Sequence, residues 1–204
     1  MHHEPTASRV IHWARWYDWF TRALPFVRRI RATLLELAAP APGERVLDVG
    51  CGTGVLAIAA KSRVESGHVH GIDASPEMIE VAKEKAARAG CEIDLNVALV
   101  EALPFPEAHF DLVTCSLVLH HLPGDLRRKG LAEVKRVLKP SGRFVAADFA
   151  ALSHSVSGHL LSLMGHARGQ NTVAELSPLL KEAGFVEVEA VPTRHRNFAF
   201  IRAQ

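Results

Sequence analysis

Apolar and polar residues follow one another in a regular order along this chain, and the order predicts helices and strands in turn. Residues 45–49 (RVLDV) form a short apolar run of the kind that becomes a buried strand, and a helix is predicted over 26–38 before it. Further strands are predicted at 67–72, 92–97, 110–116 and 143–149, with helices at 54–63, 75–90 and 125–138 and a turn at 139–142. Strands that alternate with helices predict a parallel sheet covered on both faces.

The two ends of the chain differ from this pattern. Near the N-terminus, apolar residues at helical spacing predict a helix from Ser8 to about Arg22. Near the C-terminus, a helix over 172–183 precedes two strands at 185–191 and 196–202, and the short turn between these strands makes them antiparallel. Residues 152–170 contain Ser, His and Gly throughout and predict no clear element.

Composition and charge narrow the class of protein. The chain has 204 residues, of which 48% are hydrophobic and 23% charged, as in a folded globular protein. Its net charge of +2 gives no indication of nucleic-acid binding. No apolar run approaches the roughly 18 residues of a membrane span. The three cysteines are scattered and no histidines have metal-ligand spacing, so we expect a reducing, cytoplasmic location and no metal site.

A glycine-rich loop follows the first strand of the predicted sheet. Its spacing is Gly50-x-Gly52-x-Gly54, which differs from the G-x-G-x-x-G of dinucleotide sites. Asp48 stands inside the strand before it, where a ligand with an ammonium group is favoured over a phosphate. Asp73 ends the second strand, where a carboxylate can accept hydrogen bonds from a ribose. A ribose and an amino-acid group without pyrophosphate describe S-adenosylmethionine (SAM).

With these motifs the sequence resembles the class I SAM-dependent methyltransferases. The matching segments are VLDVGCGTG at 46–54, GIDASPEMIEVAKEKA at 71–86, LPFPEAHFDLVTCSLVLHHLP at 103–123 and LAEVKRVLKPSGRFVAADF at 131–149. Within that family the sequence is most similar to the ubiquinone/menaquinone C-methyltransferase-like group. The resemblance implies an α/β fold with a Rossmann-like, doubly wound, seven-stranded sheet. That sheet is mostly parallel, ends in an antiparallel C-terminal hairpin, and has the order 3-2-1-4-5-7-6.

The resemblance also implies how the chain is divided. It predicts one SAM-binding domain over 1–204, with an N-terminal helical lid at 1–40 and the cofactor-binding core at 44–149. A small cap segment at 150–171 and the C-terminal helix and hairpin at 172–204 complete it.

A cofactor site for SAM, which becomes S-adenosylhomocysteine (SAH), is implied residue by residue. Its members are Asp48, Gly50, Cys51, Gly52, Gly54, Asp73, Ala74, Leu99, Val100, Glu101 and Ser116. The glycines and Ser116 are expected at the methionine end and Asp73 at the ribose. Leu99 departs from the family, which has an Asp here to accept from the adenine amino group.

Methyl transfer needs a general base only when the acceptor must lose a proton. His120 and His121 follow the fourth strand, and Tyr17 lies on the predicted N-terminal helix, so these three are the candidates. A histidine that merely lines the pocket, or an aromatic residue packed on a helix face, is the simpler interpretation of each. No catalytic residue is therefore assigned, and the expected acceptor is a small molecule such as a quinone, a lipid or another metabolite.

Other functions remain to be weighed. A non-catalytic SAM-binding sensor or partner subunit on the same fold is the main alternative. A short-chain oxidoreductase is excluded, because its Tyr-x-x-x-Lys pair would place lysine at Thr21 after Tyr17. The tryptophans near the N-terminus and the nearby arginines, Arg22, Arg28, Arg29 and Arg31, also fit contact with an anionic membrane surface. A solvated basic face on a lid is the preferred interpretation of that cluster.

Overall fold

The structure is a computed structural model that describes residues 25–150, 173–195 and 197–204. Its helices are α1 (Pro25–Ala38), α2 (Val55–Val64), α3 (Pro76–Arg88), α4 (Gly124–Val137) and α5 (Val173–Glu182), and a 3-10 turn spans Leu119–His121. Its strands are β1 (Arg45–Val49), β2 (His68–Asp73), β3 (Asp94–Val97), β4 (Phe110–Ser116), β5 (Leu138–Phe149), β6 (Val188–Val191) and β7 (Phe198–Ala203). The predicted helix at 8–22, Tyr17 and the segment 151–171 lie outside the described residues.

The strands form one seven-stranded sheet in the order β3-β2-β1-β4-β5-β7-β6. Strands β1 to β5 pair in parallel, while β7 pairs antiparallel with both β5 and β6. Each parallel neighbour is reached through a crossover, whereas a short connection joins β6 to β7 and requires them to run in opposite directions. The predicted fold class, strand order and C-terminal hairpin are therefore confirmed.

The strand predicted from residue 185 begins at Val188, and the predicted start of β5 is also wrong. The turn expected at 139–142, before a strand at 143–149, lies inside β5, which begins at Leu138. Phe110 pairs with Leu138 and Leu112 with Arg143, so the intervening residues of β5 bulge out of the ladder. Pro140 has no N–H to give to a ladder, which favours a bulge at this point.

Helices cover both faces of the sheet. On one face, α1 contacts β4, β5 and β7, and α2 contacts β1 and β2, while α4 contacts β5 on the other. Helix α1 buries Val27, Ile30, Leu34 and Ala38, whose spacing of three and four places them on one side of the helix. This packing leaves the carboxyl ends of the parallel strands open at one edge, where ligands of such sheets bind. In the described parts of the chain, no helix has both the length and the apolar character that a membrane span requires.

Candidate functional site

The glycine loop between β1 and α2 turns through backbone angles that favour glycine. Gly50, Gly52 and Gly54 have φ angles of +65°, +53° and +76°. A Cβ added at Gly50 would lie 2.2 Å from the Cγ2 atom of Val118, whereas one at Gly52 would meet nothing within 4 Å. Gly50 thus allows a close approach of two chain segments, and Gly52 keeps an open space in front of the loop.

Asp73 joins this loop to the start of α3. Its Oδ2 atom accepts a hydrogen bond of 2.9 Å from the Gly52 N–H, and its Oδ1 atom accepts one of 2.9 Å from the Ser75 N–H. Burial raises the pKa of the Asp73 carboxyl, although both hydrogen bonds act to lower it. Ser75 caps α3 by accepting from the Met78 N–H, as its position before Pro76 predicts. The carboxylate is therefore fixed beside the open face of the loop.

Asp48 lies behind the loop and is fully buried. Its Oδ1 atom accepts a hydrogen bond of 2.8 Å from the Thr114 hydroxyl on β4. Among the described residues its Oδ2 atom has no hydrogen-bond donor. Burial raises the pKa of Asp48 to about 7, while the Thr114 hydrogen bond and the positive charge of Arg31 act in the opposite direction.

A cavity opens at the carboxyl ends of β1, β2 and β4, in front of Gly52 and Asp73. Most of the proposed cofactor residues line it, namely Gly50, Gly52, Asp73, Ala74, Leu99, Val100, Glu101 and Ser116. Three of them, Asp48, Cys51 and Gly54, are not part of its wall. Cys51 packs in a small apolar cluster under α3, where burial raises the pKa of its thiol. A Cβ added at Gly54 would lie 3.0 Å from the Ala82 Cβ, so this glycine serves helix packing.

The segment after β3 forms the far wall of the cavity. Ala98 is tied to β2, because its N–H donates to the Asp73 carbonyl at 3.1 Å. The Leu99 side chain is 39% exposed at the cavity, while the Val100 side chain is buried and faces Gly130. An apolar surface thus occupies the position at which the family has an acidic residue, and Glu101 also lines the cavity.

The two histidines after β4 have different surroundings. His121 is exposed and lines the cavity. The His120 ring is almost wholly buried, and its Nδ1 atom lies 2.7 Å from the Oδ1 atom of Asp148 at the end of β5. Asp148 Oδ2 also accepts from the His120 N–H at 3.0 Å, and the two histidine rings are 3.9 Å apart. His121 therefore reaches the open space, and Asp148 holds its neighbour in place.

Sequence reasoning missed two charged residues of this region. Asp148 ends an apolar strand, as Asp73 does, and that position was the available signal. Arg31 lies on α1 and lines the cavity, whereas it was predicted to belong to a solvated basic face together with Arg28 and Arg29. Within the described ranges, no group of three or more His, Cys, Asp or Glu side chains is arranged to hold a metal ion.

Comparison with known proteins agrees with this geometry. A family model described as a methyltransferase domain matches residues 46–142. The uncharacterized methyltransferase YcgJ of Bacillus subtilis is 38% identical over 134 residues, which are 65% of this chain and 51% of that protein. The ubiquinone/menaquinone biosynthesis C-methyltransferase UbiE of Geotalea daltonii is 36% identical over 149 residues, which are 71% of this chain and 63% of that protein.

This chain thus spans between about half and two thirds of the length of these two relatives. Among solved structures, a SAM-dependent methyltransferase from Aquifex aeolicus superposes with a TM-score of 0.69 at 24% identity, covering 85% of this chain and 88% of that chain. That likeness concerns the fold, while the sequence matches concern the motifs around the cavity. Residues 46–142 thus carry a methyltransferase domain, and together these matches support a class I SAM-dependent methyltransferase of the UbiE-like type.

Proposed function

We propose that this protein transfers a methyl group from SAM to a small-molecule acceptor. The single observation that supports this most is the carboxylate of Asp73, which is fixed beside the open face of Gly52 in the cavity at the strand ends. Both carboxylate oxygens already accept one backbone hydrogen bond each. Because a carboxylate oxygen has a second acceptor position, Asp73 can still bind the two hydroxyls of a ribose.

The residues around the cavity fit the parts of SAM. The face of Gly52 leaves room for a ligand to lie against the backbone. Ser116 lines the same space, and among the described residues its buried hydroxyl oxygen has no hydrogen-bond partner. We assign Gly50, Gly52 and Ser116 to the methionine end, and Ala74 with Leu99 to the adenine.

The remaining cofactor residues have supporting roles in this proposal. The backbone of Val100 and the side chain of Glu101 are assigned to the adenine edge. Asp48 acts from behind the loop as a negative charge near the ammonium group, and Cys51 and Gly54 shape the loop from below. When bound, SAM supplies a methyl group on a sulfonium, and the protein's part is to align the acceptor with it.

His121 is the group we propose to take a proton from the acceptor when the reaction releases one. It lines the cavity, and the buried His120–Asp148 pair keeps the preceding residue in place. His120 itself is occupied by Asp148 at Nδ1, which supports a positioning role for it. Tyr17 stays a further candidate on the basis of the sequence alone.

A row of aromatic rings begins at His120, next to the cavity residue His121 and outside the cavity wall itself, and from it we infer an apolar, planar acceptor of the quinone type. The Phe149 ring packs against His120 at 4.8 Å and against Phe198 at 5.1 Å, and Phe198 packs against Phe26 at 5.8 Å. Phe26 is 39% exposed at the end of the row. Aromatic faces of this kind favour the burial of a flat ring. The name of the UbiE relative, which refers to ubiquinone and menaquinone, agrees with this choice.

Calorimetric titration with SAM and with SAH tests the cofactor site. Asp73→Ala is expected to weaken both ligands at least about tenfold, because it removes the acceptor of both ribose hydrogen bonds. Asp111→Ala is the matched control, since this carboxylate also accepts a backbone N–H, that of Arg45 at 2.9 Å, but lies away from the cavity. If the wild-type protein binds neither ligand at millimolar concentration, the proposed function is wrong.

A non-catalytic SAM-binding protein is the alternative, and Leu99 favours it because the family's adenine acceptor is absent there. Turnover separates the two functions. A panel of hydroxylated aromatic and quinol acceptors, with SAH formation as the readout, is expected to yield at least one substrate. Tight SAM binding with no SAH formed from any acceptor would instead support the sensor or partner-subunit function.

A further inference from the structure

The histidine turn, residues 117–122, lies between β4 and α4 and forms part of the cavity wall. Its members that line the cavity are Leu117, Val118, His121 and Leu122. Leu119 and His120 are not part of the wall, because Leu119 is buried in the apolar core and Asp148 binds the His120 ring. The conformation of this short segment therefore determines which of its side chains face a ligand.

Leu117 begins the histidine turn in a backbone conformation that large L-residues avoid. Its φ angle is +60°, in the left-handed region that favours glycine. Its N–H donates to the Ala147 carbonyl on β5 at 2.8 Å, which attaches the start of the turn to the sheet. Because the intrinsic preference of leucine opposes this backbone, contacts from other elements have to maintain the conformation of the turn.

Arg127 on α4 makes such contacts. Its Nε atom donates to the Leu119 carbonyl at 3.1 Å, and one of its Nη atoms donates to the Leu122 carbonyl at 2.9 Å. These two carbonyls stand on either side of His120 and His121 in the chain. Arg127 is only 8% exposed, so the fold takes a charged side chain out of water to make these bonds. The planar guanidinium offers donors in fixed directions, as two separate carbonyls require.

Arg127 acts on the site through the turn, since it is not part of the cavity wall itself. Asp148 on β5 accepts from the His120 N–H at 3.0 Å, so the sheet also holds the turn. The turn is therefore attached to β5 at its start and at His120, and to α4 at the two carbonyls that Arg127 binds. Loss of Arg127 would leave the carbonyl that follows His121 without this attachment.

We propose that Arg127 is a positioning residue for methyl transfer, which holds the histidine turn so that His121 faces the acceptor. This inference rests on the proposed function, in which His121 takes a proton from the acceptor. In that reaction the acceptor atom bonds to the methyl carbon, the carbon–sulfur electron pair stays on the sulfur of SAH, and the acceptor's proton passes to His121. Arg127 keeps its own proton throughout, because a guanidinium stays charged at any ordinary pH.

Steady-state kinetics and calorimetry of Arg127→Met test this role. Methionine is similar in length but has no donors for the two carbonyls. With an acceptor found in the quinol panel, kcat is expected to fall at least about tenfold, because His121 is no longer aligned with it. The KM for the acceptor is expected to stay within about threefold of wild type. The Kd for SAH is expected to stay within about twofold, since Arg127 does not line the cavity. Arg127→Lys keeps the charge and one donor group, so part of the kcat is expected to return.

NMR of the His121 ring reports its position without any acceptor. The rings of His120 and His121 lie 3.9 Å apart, so each shifts the proton signals of the other. The His121 signals, identified by their loss in His121→Gln, are expected to move in Arg127→Met toward those of an isolated histidine. Arg128→Met is the matched control, because this next residue of α4 carries the same charge but pairs with Glu182 at 3.2 Å. It is expected to keep the wild-type kcat and His121 signals.

Thermal unfolding without ligand shows which variants are folded. Wild-type kcat, or wild-type His121 signals, in folded Arg127→Met would overturn the proposal. A weakening of SAH binding as large as the fall in kcat would overturn it too, by showing a general effect on the site. If Arg127→Met does not fold, Arg127→Lys takes its place, and an unchanged kcat in that variant would show that the two-donor geometry is not needed. Failure of the proposed function looks different, since the wild-type protein would then bind neither SAM nor SAH, while the NMR comparison would still show whether Arg127 holds the turn.

Discussion

Asp48→Asn is expected to remove a pH dependence from the folding stability. The folded protein holds this carboxyl at a pKa of about 7 because of burial, whereas the ordinary value is 3.8. Between these values the folded state keeps a proton that the unfolded chain has released. The contribution of Asp48 to stability is therefore fully present below the ordinary pKa and is lost as the pH rises through the folded value.

The size of the effect follows from the two pKa values. At about 1.36 kcal/mol for each pKa unit, complete ionisation of the buried carboxyl costs about 4 kcal/mol. Roughly 2.5 kcal/mol of this falls between about pH 5 and pH 8. Asp73 adds to the same trend in the wild-type protein, because burial raises its pKa as well.

Urea unfolding across that pH range, for wild type and Asp48→Asn, measures the difference. Subtracting one curve from the other removes the contributions of Asp73 and the histidines, which both proteins share. Asp111→Asn is the control: although partial burial acts to raise its pKa, hydrogen bonds from Lys139 and Arg45 lower it overall. That variant is expected to change stability in acid but to keep the wild-type slope above about pH 5.

The reasoning is refuted if the difference between wild type and Asp48→Asn does not change with pH. Such a result would mean that Asp48 ionises in the folded protein at its ordinary pKa. Other charges or solvent would then stabilise the buried, ionised carboxylate much more than the Thr114 hydrogen bond and Arg31 do.

Three further substitutions test the glycine loop and the part of the cavity wall formed by Leu99. Gly50→Ala is expected to lower the free energy of unfolding by about 2 to 5 kcal/mol, through a strained φ and overlap with Val118, as measured by urea unfolding. Gly52→Ala has the strained φ without the overlap, so it is expected to cost only about 1 to 2 kcal/mol but to weaken SAM binding. Equal stability of the two variants would contradict this. Leu99→Asp is expected to tighten SAM about two- to tenfold in calorimetry by adding an adenine acceptor at an exposed position, and weaker binding would contradict it.

Much of the fold could be predicted because its signals are local. The RVLDV strand, the Ser75-Pro76 helix start and the three glycines each specify their own backbone, and the alternation of strands and helices then leaves few sheet arrangements. The start of β5 could not be predicted in the same way. The Lys139–Gly142 segment has the composition of a turn. It becomes a bulge within the strand only because the residues on either side of it, Leu138 and Arg143, pair with Phe110 and Leu112.

The sequence alone also determined most of the cavity wall, because residues that follow parallel strands meet at one edge of the sheet. Asp73 and Ser116 end β2 and β4, Ala74 and Leu99 follow β2 and β3, and all four lie there as these positions require. The sequence could not separate the wall from the layer behind it. Asp48 is only two residues from Gly50 along the chain, yet its side chain lies behind the loop and accepts a hydrogen bond from Thr114 on β4.

Only the tertiary structure decided which of several equivalent side chains face the ligand. His120 and His121 are identical neighbours in the sequence. Asp148, 28 residues after His120, binds the buried ring of His120, whereas His121 lines the cavity. Arg31 and Arg28 lie on one helix, and the burial of Ile30 turns only Arg31 toward the site. Such choices depend on the angle and depth at which distant elements pack, and no local pattern in the sequence contains that information.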